Sequence, residues 1–81
     1  MSRYRVQYGD IARTSREALP ATRRSLFDRD IDRLADDPYG CGSYAVRDKD
    51  TREALVGGCV TLYLVSDGVL VVTVVRLQGP P

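Results

Sequence analysis

Along the first residues of the chain, polar and apolar positions alternate. Tyr4, Val6 and Tyr8 are interleaved with Arg3, Arg5 and Gln7. A period of two predicts a half-buried strand, its aromatic set facing a core and its Arg/Gln set facing outward. Gly9-Asp10 breaks the strand, and Asp10 is expected to cap a helix N-terminus with its carboxylate. Ile11, Ser15, Ala18 and Leu19 then recur at i, i+4, i+7 and i+8, one face of a short helix. Pro20 ends that helix and suits the start of the next. From Ala21 to about Asp36, Leu26, Phe27, Ile31, Leu34 and Ala35 mark an inner face, while Arg23, Arg24, Asp28, Arg29, Asp32 and Arg33 fill the others. The connection is short enough to make the two helices antiparallel neighbours.

After Asp37-Pro38-Tyr39-Gly40-Cys41-Gly42, a turn-rich loop, the period returns to that of strands. Strands are predicted over Tyr44–Arg47, Arg52–Val56, Cys59–Val65 and Val69–Leu77, with turns at Asp48–Thr51, Gly57-Gly58 and Ser66–Gly68. Gly57-Gly58 is a strong two-residue hairpin signal. The last strand carries Val69, Val71, Val72, Thr73, Val74 and Val75 without alternation. Such a run means that both faces are covered, or that a partner covers one. A single layer of helices covers only one face, so an apolar remainder on the other is an expected interaction site. Gln78 to Pro81 is expected to fray. The order predicts an α+β fold: an N-terminal strand and an antiparallel helical hairpin packed on an antiparallel sheet.

Composition narrows the function classes. At 81 residues, the chain has room for one domain, spanning 1–81, and little room for a deep enclosed pocket. A hydrophobic share of 43% beside 28% charged residues is that of a globular domain. The net charge of +1 argues against generic nucleic-acid binding, although a local basic face is compatible with it. Lys49 is the only lysine, so nearly every cation is a planar fork suited to phosphate or carboxylate, a bias that GC-rich codon usage would also produce. No signal peptide and no membrane span are expected, which makes cytoplasm the default. Histidine is absent, and Cys41 and Cys59 are expected to be reduced. With no histidine and two cysteines, neither a metal nor another cofactor is expected.

The order of elements, with these residues, resembles the RelE/ParE toxin superfamily. Tyr4-Arg5-Val6-Gln7-Tyr8 looks like its first strand, and Ala18-Leu19-Pro20 like the turn between its helices. Leu34 to Gly40 looks like its helix-end segment, and Leu62 to Leu77 like its closing hairpin. The resemblance implies a toxin of a bacterial type II toxin–antitoxin module, neutralised by a cognate antitoxin that wraps its surface. RelE-like members cut mRNA in the ribosomal A site, whereas ParE-like members inhibit DNA gyrase without nuclease chemistry. A homo-oligomer is compatible with either. The sequence departs from the RelE pattern at the fourth strand, where the family's Tyr-Arg is Cys59-Val60, although Tyr63 keeps the second tyrosine. Gln78-Gly79-Pro80-Pro81 stands where RelE enzymes carry basic residues and a tyrosine. The groups that activate a 2′-hydroxyl and stabilise phosphorane charge are therefore expected to be missing. A binding toxin is the reading this favours; an mRNA endonuclease and a non-toxic binding module are the alternatives.

Each candidate residue has a functional and a structural reading. Arg52, Arg76 and Tyr63 are the candidate catalytic residues. Arg47, Lys49 and Arg52 flank one turn and could grip phosphate, or form a solvated turn neutralised by Asp48, Asp50 and Glu53. Arg76 could serve the active region or act as an edge charge against aggregation. Tyr44 and Tyr63 could stack or transfer protons, or simply pack with their hydroxyls at a rim. Arg23 and Arg24 could meet an acidic partner, or lie on a mixed solvated helix face. Cys41 and Cys59 read as small buried residues, since no histidine can activate them.

Overall fold

The computed structural model describes residues 3–79. In chain order it contains β1 (Arg5–Tyr8), α1 (Asp10–Glu17), α2 (Ala21–Asp36), β2 (Tyr44–Ala45), β3 (Thr51–Val56), β4 (Cys59–Ser66) and β5 (Val71–Gln78). The strands form one five-stranded sheet in the order β1-β5-β4-β3-β2. Tight turns make β2 to β5 antiparallel, as expected. β1 departs from that expectation: it pairs with β5 in parallel, Arg5 opposite Val71 and Tyr8 opposite Val74. A tight hairpin forces antiparallel pairing, but the helical hairpin between β1 and the rest of the sheet allows the other direction.

Both helices lie on one face. α1 packs over β5, and α2 over β3 and β1. The core beneath them is Phe27, Ile31, Leu34 and Ala35 from α2, Ala12 from α1, and Ala54, Val56, Cys59, Tyr63, Val72, Val74 and Leu77 from the sheet. The expected inner face of α2 is thus the observed one, with Leu26 half-buried. That of α1 is rotated. Ala12 is fully buried, whereas Ile11 is 72% exposed. The close approach of α1 to β5 requires a small side chain at the contact, and Ala12 supplies it.

The expected cap is also displaced. Gly9 occupies the N-cap and Asp10 is the first helical residue, its carboxylate 3.5 Å from Arg13 Nη1. Asp10 still suits the positive end of the helix dipole. Arg16 joins the two helices, donating from Nε and Nη2 to the Asp28 carboxylate at 2.8 and 2.6 Å. Gln78 belongs to β5, opposite Val60, rather than to a frayed tail; Pro80 and Pro81 lie outside the described residues.

Two backbone features govern the sheet. The first is the β3–β4 turn. Gly57 and Gly58 have φ of 56° and 82°, the left-handed pair that a tight hairpin requires. α2 grips this turn: Arg23 Nη1 donates to the Gly57 carbonyl at 2.8 Å, and the Gly57 N–H donates to Asp30 Oδ2 at 2.9 Å. The second is a bulge in β5. Tyr63 pairs with Val74 but Leu62 with Arg76, so Val75 is extra. Strict alternation would send position 76 beneath the helices with Val72 and Val74. The bulge instead puts Leu77 in the core and Arg76 on the opposite face.

Candidate functional site

Two regions merit description as sites: the basic turn after β2, and the sheet face that carries no helix. At the turn, Arg52 projects toward the loop between α2 and β2. Its Nε donates to Ser43 Oγ at 3.0 Å, and Nη1 to the Lys49 carbonyl at 3.0 Å. Its Nη2 donates to the carbonyls of Tyr39 and Ser43 at 3.3 and 3.4 Å. The guanidinium also lies 5.6 Å from the centre of the Tyr39 ring, and Lys49 Nζ lies 5.8 Å from it. Arg52 is therefore occupied in holding two loops together. Asp48 accepts the N–H groups of Thr51 and Asp50, at 2.9 and 3.0 Å, which pull its carboxyl below the usual range. Arg47 is exposed and makes no hydrogen bond or ion pair among the described residues.

Tyr63 lies opposite Arg52 on β4 and is fully buried. Its hydroxyl donates to the Pro38 carbonyl at 2.6 Å, and burial raises its pKa. Arg76 is not part of this group: it lies on the other face of the sheet. The described structure thus joins Arg52 to Tyr63 and Lys49, and separates all three from Arg76. Arg23 is engaged by Gly57, and Arg24 Nη1 donates to the Glu17 carbonyl at 3.4 Å. Cys59 is buried as expected, but Cys41 is exposed, in left-handed backbone with φ of 53° and with its Sγ 3.7 Å from the Arg33 carbonyl oxygen.

The tyrosines share one electrostatic character. Tyr4 donates to Asp67, Tyr44 to Glu53, and Tyr39 to Asp50 at 2.7 Å; each bond raises the donor's pKa. Burial pushes Tyr8 up to about 12. With Tyr63, this covers all five tyrosines of the chain. Raised folded values mean that their contribution to stability is complete below the unfolded value of 10.0 and declines as pH rises toward the folded values. Alkaline titration followed at 295 nm should therefore show tyrosinate appearing together with loss of the far-ultraviolet dichroism. Tyrosinate forming near pH 10 in a fully folded protein would contradict this.

The uncovered face shows what the sequence reading missed. Along β4, Cys59, Thr61, Tyr63 and Val65 point to the core, yet the alternate set is apolar too: Val60, Leu62 and Leu64. Leu55 on β3 stands opposite Val60. Leu55, Val60 and Leu64 are 72, 46 and 40% exposed. The apolar excess expected on the last strand is carried instead by β4. The available signal was the presence of aliphatic residues at both phases of its alternation. This floor is flanked by Arg76, by Gln7 donating to Thr73 Oγ1 at 2.8 Å, and by the Tyr44–Glu53 pair.

Two helices packed on a five-stranded, mostly antiparallel sheet match the RelE fold. A chain of the intact RelBE toxin–antitoxin complex of Escherichia coli superposes with a TM-score of 0.81 at 18% identity, over 96% of this chain and 98% of that one. The RelBE2 complex of Mycobacterium tuberculosis gives 0.82 at 21% identity, over 95% and 98%. The archaeal RelE–RelB complex of Pyrococcus horikoshii gives 0.76 at 19%, over 95% and 94%. No family model matches the sequence, and no curated protein matches it. Among the described residues, no helix is long and apolar enough to cross a membrane.

Proposed function

We propose that this protein is the toxin-like partner of a bacterial, cytoplasmic type II toxin–antitoxin module, and that it acts by binding a cellular target rather than by cutting mRNA. The fold supports the module, and the solved relatives that share it were crystallised as toxin–antitoxin complexes. One observation carries the choice of binding over cleavage. Arg52 and Tyr63, the best candidates for acid–base and phosphate chemistry, direct their polar atoms into loop carbonyls, while Val60 occupies the position where the nuclease pattern has arginine. The chain also has no histidine that could take over as base.

Inducible expression in a bacterium, with and without the co-encoded neighbouring protein, tests the module. Growth arrest relieved by the neighbour is expected. Normal growth at high expression would favour a non-toxic module. Toeprinting on translating ribosomes should show no codon-positioned cuts; cuts that disappear in Arg76→Ala would restore the endonuclease reading. Loss of gyrase supercoiling at saturating protein would identify the target as that of ParE-like toxins.

A further inference from the structure

We propose that this chain forms a symmetric homodimer, sheet against sheet, about a two-fold axis that runs along β4 over Leu62. The inference goes beyond the toxin reading and does not depend on it. It rests on how charge is arranged across the helix-free face. One row of side chains crosses the three middle strands: Glu53 on β3, Leu62 on β4 and Arg76 on β5. An anion, an aliphatic residue and a cation thus lie in line, on strands about 4.8 Å apart. The bulge makes this row. Without the extra residue, Val75 would stand opposite Leu62; with it, Arg76 does. Arg76 is exposed and makes no hydrogen bond, ion pair or ring contact among the described residues. Its strand has a neighbour on either side, so it does not guard a sheet edge. Glu53 accepts a hydrogen bond from Tyr44, and its carboxylate has further lone pairs for a guanidinium.

A two-fold axis sets a surface against itself, so the surface must be complementary to its own copy. Sheets packed face to face keep their strands roughly aligned, which leaves an axis along the strands or one across them. Rotation about the axis along β4 exchanges β3 with β5. Arg76 of one copy then meets Glu53 of the other, twice over, while Leu62 meets Leu62. Val60 and Leu64 lie on the same axis and meet their own copies, and Thr51 meets Thr73. The axis across the strands instead lays Arg76 on Arg76 and Glu53 on Glu53. Charge therefore selects the first arrangement. That arrangement also takes Leu55, Val60 and Leu64, which are 72, 46 and 40% exposed, out of water. The face measures about 19 Å across five strands and about 27 Å along β4, or roughly 1,000 Å² for two copies, the low end of specific interfaces. A reversible dimer with a dissociation constant of roughly 10–100 μM is expected.

The test is sedimentation equilibrium of the full chain from about 1 μM to about 1 mM. The parent's mass should rise from 9.0 kDa toward twice that value. Arg76→Glu and Glu53→Arg should each weaken self-association about tenfold or more, because each sets two like-charged pairs in the interface. Mixing these two variants should restore association, since both contacts become opposite in sign. The chain carrying both changes should dimerise by itself. Arg76→Gln, which removes the ion pairs without reversing them, should weaken association less than Arg76→Glu. Arg33→Glu, the same charge change on α2, should have no effect. Circular dichroism of the Arg76 variants should match the parent, because Arg76 has no internal partner to lose. A parent that stays monomeric throughout would overturn the proposal and leave the face to another partner. So would a dimer indifferent to Arg76→Glu, or one that neither the mixture nor the double change restores. Growth arrest enters none of these readings, so the toxin reading stands or falls separately.

Discussion

Replacing Gly57 with alanine is expected to leave the protein largely unfolded at room temperature. A Cβ at this position would lie 2.5 Å from the Phe27 nitrogen and 2.6 Å from its Cα, both backbone atoms of α2. Neither can retreat without moving the helix that roofs the core. The backbone at Gly57 is also left-handed, with φ of 56°, a region that costs a non-glycine residue about 1–3 kcal/mol. Steric overpacking adds about 1–3 kcal/mol more. A domain of this size has about 3–5 kcal/mol in total. Gly68→Ala is the matching control: a Cβ there meets nothing within 4 Å, and the change should stay within about 0.5 kcal/mol. Urea denaturation followed by circular dichroism compares them, and a two-state midpoint for Gly57→Ala close to the parent's would refute the argument.

Arg52→Ala should lower stability by about 2–3 kcal/mol, since charge-assisted hydrogen bonds to several carbonyls are lost together. The loss falls on the α2–β2 loop and the β2–β3 turn, which Arg52 joins through Tyr39, Ser43 and Lys49. Arg52→Lys should recover only part of it, because an ammonium cannot reach both loops as a planar fork does. Arg47→Ala removes a neighbouring exposed cation that makes no hydrogen bond or ion pair among the described residues, and should shift the urea midpoint little. The comparison guards against a false assignment. A toxicity or cleavage assay alone would score Arg52 as functional merely because the domain had loosened. An unchanged midpoint with lost activity would return Arg52 to the candidate catalytic set.

These two cases show where the sequence was legible. Gly57-Gly58 announced its hairpin because only glycine enters left-handed backbone without cost, and that is a local property. Tyr4, Val6 and Tyr8 announced the inner face of β1 through alternation, which is also local. Ile11 misled because hydropathy outweighs size in a helical pattern, whereas the contact with β5 selects a small residue, Ala12. The bulge at Val75 is invisible in a run of valines, since one more valine changes no composition and no turn signal. Arg52 read as either a phosphate fork or a cation of a solvated turn, and not as a loop clamp, because its partners are mostly loop carbonyls, which are set by chain path rather than by residue type. The candidate site was therefore half legible: its cations were named, but which were engaged and which free depended on tertiary geometry.

The placement of β5 has a consequence for how the protein comes into being. It lies between β1 and β4, and its parallel partner is nearly the whole domain away in sequence. Until β5 is in place, β1 has no strand to join and α1 lacks most of the surface it covers. Contacts of such long sequence separation also slow folding. The helix-free face of the sheet is thus assembled only when β5 has joined the two ends of the domain, so its formation reports on the last long-range contact rather than on any local hairpin.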